Sequence, residues 1–535
     1  MKKPAAETGT IARSAGTVSI AVMCSRVLGL VREQAFAALF GAGFAYDSFV
    51  VAFRIPNLLR DLFGEGALSA AFVAVFSDYD ANRGKEETMR LAGNVLVFFA
   101  ILLSLLTLIG IFFAKPLVLL LAPHFDKVAN KVELTRQLTV IMFPFLIMVS
   151  LSAVVMGILN TKGRFFIPAM ASSFFNLGSI VGGVGLAIIL PRFGQPAIVG
   201  MAIGTLVGGF LQLVGQLPTL RKSGFVFLPR LDLADPGLRR ILRLMVPAVI
   251  GLSATQINIF VNTNFASSLA QGSVSWLNYA FRLVQFPIGV FGVAISIATL
   301  PVIARFAAVK DFVGLRETYV SSLTIAFCLT IPATVGLYLL AGPIIGVIFE
   351  HGNFTAFDTI KTAEALSFYA LGLFAYSSVK IMVPVFYALD DTRYPVIGSF
   401  LAVGGNILII LLCIDSLQHR AIALATSSAM ACNFLFLSVI LYRKLNGYSL
   451  SYLAVGLAKV MMASLLMGGW LVLARGWLAG LDDGMVSRLF SLLLLIGSGG
   501  AVYGVALYLL RLRELTLLVD RLGARLAPGW RGRSE

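Results

Sequence analysis

Two stretches of this chain, Asn94–Ala114 and Met461–Ala474, are long apolar runs without a single charged residue. Such runs leave few folds open. In lipid every backbone polar group needs an internal partner, and a helix supplies it within one segment. Strands of a membrane barrel instead alternate every second residue over about 10 residues, which these runs do not. The chain is 58% apolar and only 13% charged, against roughly 25% charged in a soluble domain. A globular core does not absorb that excess; a lipid-facing surface does. At roughly 35–40 residues per helix and loop, 535 residues hold about 14 spans of about 20 apolar residues each.

The spans are expected to begin near residues 14, 46, 91, 136, 167, 196, 244, 276, 319, 362, 396, 421, 452 and 489. The first contains Arg26, Arg32 and Glu33 and shows no small-residue cleavage site before it, so it reads as retained rather than as a removed signal. With the N-terminus inside, the inside loops include 78–90, 161–164, 221–243, 304–316 and 443–446. They and the tail from Arg511 carry roughly 26 Lys and Arg, against about 9 outside. This bias places both termini on the cytoplasmic side of the membrane. It also accounts for the net charge of +16 without nucleic acid, because no basic domain exists.

An internal repeat divides the chain. Ala52-Phe53-Arg54-Ile55 returns as Ala280-Phe281-Arg282-Leu283, His124 as His351, and Thr161-Lys162-Gly163-Arg164 with Pro168 as Asp391-Thr392-Arg393 with Pro395, at an offset near 228. The expected fold is all-α and polytopic. Two six-helix lobes are related by a pseudo-twofold along the membrane normal, with two C-terminal helices added. Residues 1–222 form the first lobe, 223–243 a cytoplasmic linker, 244–446 the second lobe, 447–512 the added helices and 513–535 a basic cytoplasmic tail. In transporters built from repeats the substrate sits near the midplane at the repeat interface.

The first two spans carry an unexpected number of charges. They hold Arg26, Arg32, Glu33, Asp47, Arg54, Arg60, Asp61 and Glu65. A charge at mid-bilayer costs about 2.5–3.5 kcal/mol on insertion scales, so such groups face protein or water. Arg26 and Glu33 share a helix face, as do Asp47, Arg54 and Asp61, with Glu65 a turn further. Arg32 and Arg60 lie off those stripes with no carboxylate on their own face, so they are the better candidates to hold an external anion. Arg282 lies inside the eighth span with no acid on its helix. Arginine suits phosphate because its planar fork donates two parallel hydrogen bonds and stays charged. Snorkelling to headgroups and purely structural ion pairs are the competing readings.

The remaining chemistry is sparse. Cys24, Cys328, Cys413 and Cys432 lie singly in apolar segments. No His or Cys spacing suits a metal, and no Walker or Gly-x-Ser-x-Gly sequence is present. No cofactor, metal or enzymatic activity is expected. Gly204 and Gly208 read as close helix packing.

The stretch SRVLGLVRE, then GAG, then YDSFVVAFRIPNLLRDLFGEGALSAAFV, resembles the MurJ (MviN) lipid II flippases of the multidrug/oligosaccharidyl-lipid/polysaccharide exporter superfamily. GSVSWLNYAFRLVQFPIGVFGVAI is similar to that family's eighth helix. The resemblance covers essentially the whole chain. It implies a transporter that moves undecaprenyl-pyrophosphate-linked peptidoglycan precursor from the cytoplasmic to the periplasmic leaflet by alternating access, for cell wall synthesis. The implied partners are lipid II, membrane lipids and cell-wall synthesis proteins. Arg26, Arg32, Arg60 and Arg282 would take the pyrophosphate in a central cavity, with Asp47, Glu65, Arg54 and Glu33 as cavity carboxylates or secondary residues. Where some members carry an Asp before the eighth-helix arginine, this chain has Phe281, which leaves Arg282 more dependent on ligand or on Asp47. No Asp or Glu lies at 244–274 or 395–414, so sodium coupling there is not expected. An exporter of another lipid-linked sugar shares the anionic group. A drug or cation antiporter of the same superfamily would want carboxylates in place of the arginines.

Overall fold

The computed structural model describes residues 5–63, 66–478 and 484–512, apart from the side chains of 5–17, 19 and 478. Contacts divide the chain into two compact units that part between Ser275 and Trp276, with residues 351–354 belonging to the first. The first unit holds α1 (Ala5–Phe40), α2 (Phe44–Phe63), α3 (Ala67–Asn82), α4 (Gly84–Phe112), α5 (Ala114–Leu121), α6 (Lys131–Met142), α7 (Phe145–Thr161), α8 (Phe166–Ile189), α9 (Ala197–Val214), α10 (Leu217–Lys222) and α11 (Pro236–Ser267). α12 (Ser273–Pro287) begins at its end. The second unit continues through a π-helical turn, Ile288–Val293, into α13 (Ala294–Ala308), α14 (Phe312–Leu339), α15 (Ala341–Phe349), α16 (Ala356–Ala370) and α17 (Leu373–Ala388). It closes with α18 (Arg393–Leu417), α19 (His419–Lys444), α20 (Leu450–Leu478) and α21 (Met485–Leu509). No strand occurs among the described residues.

Among the described residues, 11 helical segments are long and apolar enough to cross a membrane. The pair α16 and α17, bent by 44°, makes a twelfth if taken as one span. Every expected span start falls inside a helix or one residue before it. α2 lies outside this set because its 20 residues carry Asp47, Arg54, Arg60 and Asp61. Helix starts recur at the sequence repeat: Gly84 of α4 and Phe312 of α14 are 228 apart, as are Phe145 of α7 and Leu373 of α17.

Capping explains several boundaries. Asp235 accepts the backbone N–H of Leu238 at 3.0 Å, and Pro236 follows at the first helical position, where a missing N–H costs nothing. α11 therefore begins at Pro236, inside the expected linker, and it packs on α3 within the first unit. The expected loop at 78–90 is also mostly helix: α3 and α4 meet at a single residue, Arg83, and Gly84 turns the chain with φ +79°. Thr355 and Asp358 form a reciprocal capping box at the start of α16. Gly204 and Gly208 let α9 lie against α8: a Cβ on Gly204 would come within 2.4 Å of the Gly183 backbone.

Residues 223–235 have no helix, yet they are held. The Asn94 side chain is fully buried and pairs twice with the Asp232 backbone: its Nδ2 donates to the carbonyl at 2.9 Å and its Oδ1 accepts the N–H at 2.8 Å. Next to it, a Cβ on Gly93 would sit 2.0 Å from the Leu228 carbonyl oxygen. Gly93→Ala is therefore expected to lift the segment off α4 and leave Asn94 unpaired, at a cost of about 1–3 kcal/mol. Faster tryptic cleavage after Arg230 in the folded variant measures it, and an unchanged rate would show that the contact does not hold the strap.

Candidate functional site

The ionisable side chains of α1 and α2 stand where helix geometry puts them, but their partners differ from the stripes read in sequence. Arg32 has no carboxylate on its own helix face, and its partner is the residue beside it. Arg32 is 9% exposed and donates from Nη2 to Glu33 Oε1 at 2.8 Å. The Tyr46 hydroxyl donates to the other oxygen of Glu33 at 2.9 Å. The Arg32 guanidinium lies 5.7 Å from the Phe36 ring centroid and 5.2 Å from that of Phe175, a cation–π arrangement. Its Nε is buried and has no partner. Arg60 likewise has no carboxylate on its own face, and it donates from Nε and Nη2 to the adjacent Asp61 Oδ1 at 3.1 and 2.7 Å. The face rule compares Cβ directions; a guanidinium is long enough to fold back onto the residue beside it. Arg32 and Arg60 are each paired with the carboxylate beside them, while Arg26 is partly exposed on α1.

Asp47, expected among the cavity carboxylates or secondary residues, is 1% exposed. Its Oδ2 accepts from Lys131 Nζ at 2.9 Å and from the Gly272 backbone at 2.9 Å. Its Oδ1 accepts the Ser275 backbone N–H at 3.0 Å and the Ser275 hydroxyl at 2.6 Å. The carboxylate sits at the start of α12, where unpaired N–H groups and the helix dipole favour negative charge. Lys131, 2% exposed, completes the neutralisation and lies 4.2 Å from the Phe125 ring centroid. All four of these bonds to Asp47 come from within the first unit.

Further along α2, Arg54 donates to the Thr263 hydroxyl of α11. Gln256 of the same helix donates to Asp61 Oδ2 at 3.2 Å. Lys131, Tyr46, Thr263 and Gln256 were not singled out in sequence. Three are uncharged, and Lys131 begins an apolar segment where a basic residue looks like a flank. The turn between α1 and α2 is pinned by residues 351–354. Asn353 donates its backbone N–H to Ala38 at 2.9 Å and its Nδ2 to Leu39 at 2.6 Å.

Arg282 belongs to the second unit, on α12 just before Pro287 and the π-helical turn, and its side chain is exposed. Phe281 packs 5.3 Å from Tyr369 and 6.4 Å from Tyr376 between ring centroids, so it is an aromatic packing element. Glu65 lies outside the described residues, as does the tail over 513–535. Among the described residues no group of three or more His, Cys, Asp or Glu is placed to hold a metal ion.

A bundle of apolar helices with ionisable groups buried in its first hairpin has the form of a membrane transporter. The fold is shared with a solved multidrug resistance transporter of the MATE family, seen inward-facing, at TM-score 0.65 and 18% identity over 81% of this chain and 99% of that one. A closer likeness is to a structure described as lipid II flippase MurJ in an inward closed conformation, at TM-score 0.75 and 27% identity over 96% of this chain and 99% of that one. The family model described as Lipid II flippase MurJ matches residues 36–488, and the chain belongs to that family. It is 35% identical to the probable lipid II flippase MurJ of Vibrio cholerae serotype O1, over 93% of this chain and 96% of that one. It is 37% identical to the lipid II flippase MurJ of Burkholderia cenocepacia, over 71% and 74% respectively.

Proposed function

We propose that this chain is a lipid II flippase of the bacterial inner membrane, with both termini cytoplasmic. It carries the undecaprenyl-pyrophosphate-linked precursor to the periplasmic leaflet by alternating access and performs no covalent chemistry. The observation that carries the reading is a surplus of cations in apolar helices of a MurJ-family chain. In the sequence Arg26, Arg32, Arg54, Arg60 and Lys131 outnumber Glu33, Asp47, Asp61 and Glu65 by one positive charge, and Arg282 adds a second. A pyrophosphate supplies the opposite sign. Arg32, with an unpartnered Nε, and Arg26, Arg60 and Arg282 are the proposed phosphate ligands. α1 and the charged α2 join the twelve apolar segments as 14 spans, and the recurring helix starts support two six-helix repeats followed by α20 and α21. A membrane potential positive outside favours outward movement of the headgroup by about 2.3 kcal/mol per charge per 100 mV.

Complementation tests this. In a strain depleted of its own lipid II flippase, wild type is expected to restore growth, and Arg282→Ala at equal membrane level is expected to fail. Failure of well-expressed wild type would overturn the substrate assignment.

A further inference from the structure

The strap over 223–235 presents an unusual surface. Phe225 turns inward against the core of α3, α4, α7 and α11. Val226, Phe227, Leu231 and Leu233 point outward and are 58, 52, 52 and 60% exposed. They are not held out by disorder, because Gly93 and the double bond from Asn94 clamp the backbone behind them. Their height on α4 is defined as well. The first turns of α4 carry Lys85, Glu86, Glu87 and Arg90, and its charge-free run begins at Leu91, three residues before Asn94, the residue that clamps the strap. The strap therefore lies where a spanning helix passes from water into hydrocarbon. Around it, residues 221–243 carry six cations (Arg221, Lys222, Arg230, Arg239, Arg240 and Arg243) against Asp232 and Asp235, a net of +4. Arg230 is paired with Asp232 at 2.8 Å, and Arg240 with Asp78 at 2.6 Å. Arg221, Lys222 and Arg239 are exposed.

We infer that this strap is a lipid-binding edge that inserts Val226, Phe227, Leu231 and Leu233 into the headgroup boundary and holds anionic phospholipid headgroups with the flanking basic residues. Apolar side chains beside cations at an interface bind by buried area plus attraction to anionic lipid. A water-facing loop has no use for four clamped, outward-facing aliphatic and aromatic side chains, and the net +4 selects an anionic surface over a neutral one. The site is independent of the transported substrate.

The test uses the full chain in nanodiscs of phosphatidylcholine alone or with phosphatidylglycerol, and no substrate. Phe227→Trp adds one fluorophore, read as the difference from wild type. Its emission is expected to be blue-shifted and quenched by lipids brominated near the headgroup, and more strongly in phosphatidylglycerol. Replacing Arg221, Lys222 and Arg239 together by Gln is expected to cut the preference for phosphatidylglycerol by about fivefold or more. These side chains are exposed, and an unchanged elution profile confirms the fold. Red-shifted emission quenched by aqueous acrylamide in both discs would overturn the inference, leaving the surface to a soluble protein. Equal quenching in the two lipids would overturn the anionic selectivity.

Discussion

Lys131→Met is expected to destabilise the protein by about 3–5 kcal/mol, because it leaves the Asp47 carboxylate buried without its countercharge. The geometry sets this expectation. Asp47 and Lys131 are 1 and 2% exposed and meet at 2.9 Å. The three hydrogen bonds from Gly272 and Ser275 remain in the variant. They orient the carboxylate but carry no full charge. Asp47→Asn is expected to cost less, since an amide oxygen still accepts from the start of α12 while Lys131 loses its partner. The double variant is expected to be more stable than Lys131→Met alone, because neither charge then remains buried and unpaired. The apparent melting temperatures of the four purified proteins in detergent close the cycle. Additive losses would show that the two side chains act separately and that the pair does not hold the start of α12.

Gly352→Ala is the second large effect. Gly352 has φ +60°, and a Cβ there would lie 2.2 Å from the Ala38 carbonyl oxygen. Facing it, Gly41 has φ +61°, and its Cβ would lie 2.3 Å from the Asn353 carbonyl oxygen. Each position needs glycine twice over, for the backbone angle and for the approach of another backbone. The left-handed angle alone costs a side chain about 1–2 kcal/mol, and the overlap adds to it by displacing Asn353 from Ala38 and Leu39. Gly163→Ala separates the two causes: it has φ +71° with nothing within 4 Å, so it bears the angular cost alone. Gly352→Ala is expected to lower the melting temperature well beyond Gly163→Ala. Equal shifts would mean that the turn between α1 and α2 tolerates loss of its clamp.

The sequence made some of this legible and hid the rest for definite reasons. Arg26, Arg32, Asp47, Arg54, Arg60 and Arg282 were conspicuous because a charge inside an apolar run is rare and costly. The apolar spans were legible because a lipid-facing helix shows its length in hydropathy, whereas α2, with its four charges, falls outside that set. Pairing was not legible. Helix stripes compare positions on one helix, whereas Asp47 is held by Lys131 from α6 and by Gly272 and Ser275, more than 200 residues away in sequence. Adjacent pairs such as Arg32–Glu33 escape the stripe rule because the guanidinium bends back along its own stem. The strap over 223–235 read as a plain linker because the residues that fix it, Gly93 and Asn94, look in sequence like the polar edge of a span.

Transport itself tests the central claim most directly. Purified chain in proteoliposomes carrying lipid II in both leaflets is assayed by adding an enzyme outside that cleaves accessible lipid II. The account predicts that wild type exposes the inner-leaflet pool far faster than empty vesicles, and that Arg32→Ala and Arg282→Ala, folded and inserted, fall to near the empty rate. Folded wild type that leaves the inner pool protected would contradict the flippase reading, and arginine variants as fast as wild type would contradict the role of these side chains in holding the pyrophosphate.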